Sequence, residues 1–186
     1  MSAETFVNAL FLITAVVAAG ILITAVFPII WNMAGTFSTA SHESDTRMRT
    51  DFKIVATYAK NYGSLGPSEP SAKIWIKNIG TTRIGKSEIE SSDVFIGKVG
   101  NFNHIDIIDA APKGYIQNPP LPPPTLINDK TWSYSVVDSN GNGFWETGET
   151  LEINALNSII DTQNEQVYFQ FVLPNGVSRS SEFTTS

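Results

Sequence analysis

The spacing of hydrophobic residues changes from one part of this chain to the next, and each spacing predicts a different element. From Phe6 to Met33 (FVNALFLITAVVAAGILITAVFPIIWNM) there is no charged residue, and Asn8, Thr14, Thr24 and Asn32 are the strong polar side chains. Roughly 20 apolar residues carry a helix across a bilayer core of about 30 Å, so this run is long enough to span a membrane. From Ala34 the pattern turns amphipathic: Met48, Phe52, Val55, Ala59 and Tyr62 recur at helical intervals, opposite His42, Glu43, Asp45, Arg47, Arg49, Asp51 and Lys53. The expectation is one long N-terminal helix over 1–62, with an apolar half at 6–33 and an amphipathic half at 34–62. Pro28 is tolerable at membrane depth or among packed helices.

Gly63 to Pro70 (GSLGPSEP) breaks that helix and predicts a hinge over 63–70. Beyond it the period falls to two. Ala72–Asn78 alternates apolar with polar, and Thr82–Ile84, Val94–Val99, His104–Ile108, Trp132–Val137, Thr150–Ala155, Gln166–Leu173 and Val177–Phe183 read as further strands. Asn175-Gly176 is a tight-turn signal that makes Gln166–Phe183 a hairpin. Short strands punctuated by Gly, Pro and Asn predict an all-β, immunoglobulin-like sandwich over 71–186. Asn118 to Pro124 (NPPLPPP) cannot supply ladder donors and reads as an extended surface loop. Trp75, Trp132, Tyr134, Trp145, Tyr168 and Phe169 fall at strand positions and read as core.

Composition narrows the function. With 186 residues and 42% hydrophobic content, one helix plus one globular domain is the natural fit. The net charge is −6, and up to Tyr62 the acids Glu4, Glu43, Asp45 and Asp51 balance the bases Arg47, Arg49, Lys53 and Lys60. The acidic excess therefore lies in the β region, which argues against a nucleic-acid partner and suits an extracytoplasmic surface. The leader Met1–Thr5 carries an acid and no base, and no A-x-A site follows the apolar run. The segment accordingly reads as an uncleaved anchor or packing helix rather than a signal peptide.

One stretch carries chemistry. Asp138-Ser-Asn140-Gly-Asn142-Gly143-Phe144-Trp-Glu146-Thr-Gly-Glu149 fits the twelve-residue calcium-loop pattern. Side-chain oxygens of Asp138, Asn140 and Asn142 occupy positions 1, 3 and 5, and Gly143 permits the sharp turn at position 6. Phe144 offers its carbonyl, Glu146 a carboxylate at position 9, and Glu149 a bidentate carboxylate at position 12. The flanks are strand-like, so the expectation is a structural calcium ion in a loop between strands. Asn at positions 3 and 5 lowers the ligand charge and predicts modest affinity. The bland alternative is a polar Asn/Gly turn.

Catalytic signatures are lacking. The histidines are His42 and His104, and no H-E-x-x-H, G-x-S-x-G or P-loop pattern occurs. His104, Asp106 and Asp109 alternate with isoleucines, as on an exposed strand edge. There is no N-x-S/T sequon either. The chain reads as a non-enzyme.

The uncharged Ala9–Leu22 segment, the long helix after it, and a β domain opening Ile76-Lys77-Asn78-Ile79-Gly80 and then Asp93–Ile96 resemble the archaellin superfamily of archaea. Within it are filament archaellins and the minor proteins FlaG and FlaF, and this chain is most similar to the FlaG branch. The resemblance implies a structural part of the motility machinery. The helix would lie in the membrane or a short filament core, and the β domain on the extracytoplasmic side as part of a stator. It implies self-assembly through the helix, with a FlaF-like protein and the surface layer as partners. Charge bias alone would turn the β domain inward; acids interleave the bases concerned, and the resemblance places it outside. A major filament subunit and a membrane-anchored ligand-binding ectodomain are the other readings.

Overall fold

The computed structural model describes residues 3–65, 69–108, 129–137 and 141–186. The chain divides into two compact units, Met1–Asp45 and Thr46–Ser186. The first belongs to α1 (Ala3–Arg49), a helix of 47 residues with acidic Glu4 in its first turn and Arg47 and Arg49 in its last, where each sign suits the helix dipole. Pro28 lies inside it without ending it.

The helix stops at Arg49, not near Tyr62, and the predicted amphipathic second half is strand β1 (Phe52–Ala59). The reason lies in a spacing of seven. Phe52 and Ala59 are both buried, and seven residues is two helical turns. In a regular strand the same pair would face opposite sides. Here the pairing with β2 (Ala72–Asn78) slips between Ile54 and Ala56, so that Val55 is an extra residue, a β-bulge, and both ends of β1 point inward. The content of Ile54, Val55, Thr57 and Tyr58 suits a strand. The end of α1 is sealed by other backbone: the Arg49 carbonyl accepts the amides of Thr81 (2.9 Å) and Thr82 (3.3 Å).

The expected hinge at 63–70 therefore joins two neighbouring antiparallel strands, β1 and β2, within the β unit. That unit begins at Thr46 rather than at residue 71. A short 3-10 turn, Tyr62–Ser64, lies in this connection.

The remaining strands are β3 (Ile84–Gly85), β4 (Asp93–Lys98), β5 (Asn101–Ile107), β6 (Thr131–Val137), β7 (Phe144–Trp145), β8 (Thr150–Leu156), β9 (Gln166–Val172) and β10 (Ser178–Thr184). A five-residue helix, α2 (Lys86–Glu90), precedes β4. Eight strands form one sheet in the order β1-β2-β8-β6-β5-β4-β9-β10, while β3 and β7 pair separately. Neighbours are antiparallel except β5 and β6, which are parallel. The sheet wraps into a sandwich close to a barrel. Its two edges meet through side chains and ends, with Arg179 on Asp51 and the Ser186 amide on the Ala59 carbonyl (3.0 Å).

Alternate residues supply the core. Ile74 and Ile76 of β2, Val94 and Ile96 of β4, Leu151 and Ile153 of β8, and Val167, Phe169 and Phe171 of β9 are buried. Phe52 sits at its centre, 5.5 Å from the Phe171 ring and 5.9 Å from Trp145, and Trp132 lies 6.4 Å from Phe171. Each such aromatic contributes on the order of 1.5–3 kcal/mol by burial. Of the strand aromatics read as core, Trp132, Trp145 and Phe169 are buried, and Tyr134 is half-buried against the core on the same face of β6 as Trp132, whereas Trp75 and Tyr168 sit half-buried on the outer faces. Trp75 there donates to Glu152 across the β2–β8 pair (3.0 Å). The proline-rich 118–124 stretch lies outside the described residues.

Candidate functional site

Two places answer to the residues singled out in the sequence. The first is α1. It contains no buried residue, and the neighbouring side chains Phe11, Leu12 and Ile13 are 73, 68 and 60% exposed. Successive helix positions turn by about 100°, so three such neighbours place apolar surface nearly all round. Trp31 and Met33 continue it to the end of the uncharged stretch. The hydroxyls within this stretch are already satisfied: Thr14 donates to the Leu10 carbonyl (2.8 Å) and Thr24 to that of Gly20 (3.1 Å). Those two hydroxyls therefore do not resist burial of this surface, and the remaining polar side chains, Asn8 and Asn32, stand near the two ends of the uncharged stretch. Ala15, Ala18, Ala19, Gly20 and Ala25 leave room for close approach by another helix, and at Gly20 a methyl would meet nothing within 4 Å. Among the described residues, α1 is the one helix long and apolar enough to cross a membrane.

The second place is the stretch 141–149, the residues that enter β7 and the turn from β7 to β8, with the last part of the calcium-loop pattern. Asp138 and Asn140 lie outside the described residues. Gly141 and Gly143 take positive φ, +70° and +81°, a conformation that glycine adopts without steric cost. The side-chain oxygen of Asn142 accepts from the Phe144 amide (2.9 Å), and Phe144 lies in the short β3–β7 pair. Glu149 is buried, and one carboxylate oxygen accepts from the Glu146 amide (2.8 Å). Its carbonyl accepts from the Trp145 indole (3.0 Å). Among the described residues, no group of three or more His, Cys, Asp or Glu side chains is gathered as for a metal ion.

That turn is tied to the motif Asn78-Ile79-Gly80. Asn78 is buried; its amide nitrogen donates to the carbonyls of Thr82 (3.0 Å) and Trp145 (2.9 Å), and its oxygen accepts from Gly80 (3.0 Å). Its backbone exchanges bonds with the turn as well, receiving the Gly148 amide (2.8 Å) and donating to the Glu149 carbonyl (3.0 Å). Gly80 lies so close to the Arg49 carbonyl and the Asp51 amide that a Cβ could not be placed there. The motif that carries the resemblance thus knots together the end of α1, the start of β1 and the acidic turn. In the sequence it shows only as the end of the Ala72–Asn78 strand and the residues that follow it.

His104 faces outward on β5. It lies 3.0 Å from Asp93 of β4 and 3.7 Å from Asp106, with its ring 5.2 Å from Phe95. Asp93 joins it through strand register, which no local motif announces; Asp109 lies outside the described residues. The group sits on the face of an interior strand rather than at a sheet edge.

Comparison with known proteins fits this layout. A protein of Archaeoglobus fulgidus is 23% identical over 185 residues, 99% of each chain. The crystal structure of archaeal flagellin FlaB1 from Methanocaldococcus jannaschii matches with a TM-score of 0.52 at 16% identity, covering 73% of this chain and 90% of that one, which shows a shared fold. The archaellum periplasmic stator protein FlaG from Sulfolobus acidocaldarius gives a TM-score of 0.47 at 18% identity, over 72% of this chain and 99% of that one. The archaeal-type flagellin family matches residues 6–183, running through the apolar helix and the β domain together. This chain belongs to the archaeal-type flagellin family.

Proposed function

We propose that this chain is a structural component of the archaellum, of the FlaG kind, that assembles through the apolar half of α1. The observation that carries the reading is a helix uncovered on every side, in a chain of a family built for assembly. An apolar surface that goes all round a helix is covered by lipid or by several helices at once; one docking face would leave most of it wet. In this reading α1 lies in the cell membrane or a short rod, and the β domain is extracytoplasmic, with a FlaF-like protein and the surface layer as partners. The role is mechanical and needs no catalysis.

A major filament subunit is the second reading, favoured by the family match running unbroken through helix and β domain. Electron microscopy of the full chain, purified in detergent and then freed of it, separates the two. The FlaG-like reading expects short rods, or polymer only with a FlaF-like protein present. Long uniform filaments from the chain alone would make it the filament subunit. Discrete membrane particles under every condition would instead indicate an anchored binding domain.

The proposal includes a structural calcium ion in the loop Asp138–Glu149, held by Asp138, Asn140, Asn142, the Phe144 carbonyl, Glu146 and Glu149. Its support is the full ligand pattern together with the positive-φ glycines and the inward-turned carboxylate of Glu149. When bound, the ion would staple β6 to β8 across the loop.

A further inference from the structure

Two Asn-Gly pairs lie among the described residues, Asn142-Gly143 and Asn175-Gly176, and the fold treats them differently. Asn-Gly is the sequence most open to intramolecular attack by the following amide nitrogen, because glycine offers no side chain to obstruct it. Both asparagines curl the same way: Asn142 accepts from the Phe144 amide (2.9 Å) and Asn175 from the Val177 amide (3.0 Å).

The nucleophile and its surroundings differ. The Gly176 amide is committed to the Leu173 carbonyl (2.8 Å), and the Asn175 amide group donates to the Thr50 hydroxyl (3.1 Å). A substituent on Gly176 would meet the Arg47 guanidinium at 3.1 Å, so the space above that turn is occupied. By contrast, the Gly143 amide has no acceptor among the described residues. Asn142 and Gly143 are both exposed, and a Cβ built on Gly143 would meet nothing within 4 Å.

We infer that Asn142 is a site of spontaneous deamidation in the folded protein, and that Asn175 is protected by its turn. The Gly143 nitrogen, having lost its proton, attacks the side-chain carbonyl carbon of Asn142. The new N–C bond closes a succinimide as the C–N bond to the side-chain nitrogen breaks, and that nitrogen leaves as ammonia, taking up the proton. Water then opens the ring at either carbonyl to give aspartate or isoaspartate. One water is consumed and one ammonia released, with no redox change.

The product places a carboxylate at the fifth position of the loop, beside Glu146 and Glu149. If that carboxylate is aspartate, the calcium ligand set gains a charge and the loop's affinity should rise. This consequence rests on the calcium reading above; the conversion itself does not.

The test is to incubate the full-length protein in detergent at mildly alkaline pH in heavy-oxygen water, then map peptides by mass with fragmentation that separates position 142 from position 140. The expected result is label entering position 142 several-fold faster than position 175, with the two rates drawing together in denaturant. An intact Asn142 in the folded protein, or conversion no faster than at Asn175, would overturn the inference. Asn142→Asp then isolates the consequence: it should raise the calcium-dependent part of the thermal midpoint. If it does not while the label still enters, the calcium reading fails and the modification site stands.

Discussion

α1 and the β domain dispose the same kinds of residue in opposite ways. In the β domain, Phe52, Trp132, Trp145 and Phe171 are at most 1% exposed, and each lies in ring contact with another. In α1, Phe6, Phe11 and Trp31 are more than 70% exposed and no residue is buried. One region carries its own hydrophobic partners within the chain; the other must find them outside it. The difference separates stability from assembly: damage to the core should act on folding, and damage to α1 on what the folded protein joins.

The largest effect should come from a charge on the small-residue face of α1. Ala19→Glu is expected to abolish membrane retention and polymer formation while leaving the thermal midpoint of the β domain unchanged, by fractionation and calorimetry on one preparation. Next is the converse: Phe171→Ala should cost about 3–5 kcal/mol of β-domain stability in chemical denaturation, with the far-ultraviolet helix signal of α1 retained. Asn78→Ala should follow at roughly 2–3 kcal/mol, because it takes from the carbonyls of Thr82 and Trp145 the donor they have now, while the Gly80 amide keeps the Asp51 carbonyl (2.8 Å).

Glu149→Gln is subtler. It keeps an oxygen for the Glu146 amide and removes a charge, so it should lower the thermal midpoint in calcium and barely move it in chelator. An equal loss in both would reject the metal.

The smallest effect concerns Lys98, which meets Asp161 at 2.7 Å and Glu165 at 3.1 Å on the surface. The hydrogen bond from Lys98 holds the Asp161 carboxyl below its ordinary value. A depressed carboxylate contributes stability above its unfolded pKa and loses it as pH falls through the folded one. Lys98→Met should flatten that part of the stability–pH curve slightly, as denaturation midpoints across the acid range would register.

The parts of the fold legible in the sequence were those whose pattern is local. β2 alternates cleanly, and the Asn175-Gly176 turn sets the β9–β10 register. The spacing of β1 predicts a helix, but a bulge at Val55 lets a strand bury residues seven apart, and only its partner β2 reveals the bulge. β3 and β7 are two residues each and exist through pairing between distant segments. At the candidate site, the uncharged run and the loop pattern are properties of consecutive residues and could be read directly. Asn78 as a buried knot, and Asp93 beside His104, depend on register between strands and carry no local signature.

The contrast between the two regions can be tested most directly by cysteine accessibility, since the chain has no cysteine of its own. Phe11→Cys, Leu12→Cys and Ile13→Cys sample three directions around α1, and Ser180→Cys reports the exposed face of β10. Labelling with a polar thiol reagent is compared between the assembled or membrane-bound protein and the unfolded chain. All three α1 positions should be protected while Ser180→Cys reacts freely. A single reactive direction on α1 in the assembled state would mean that the helix is not enclosed, and would contradict assembly through its whole apolar surface.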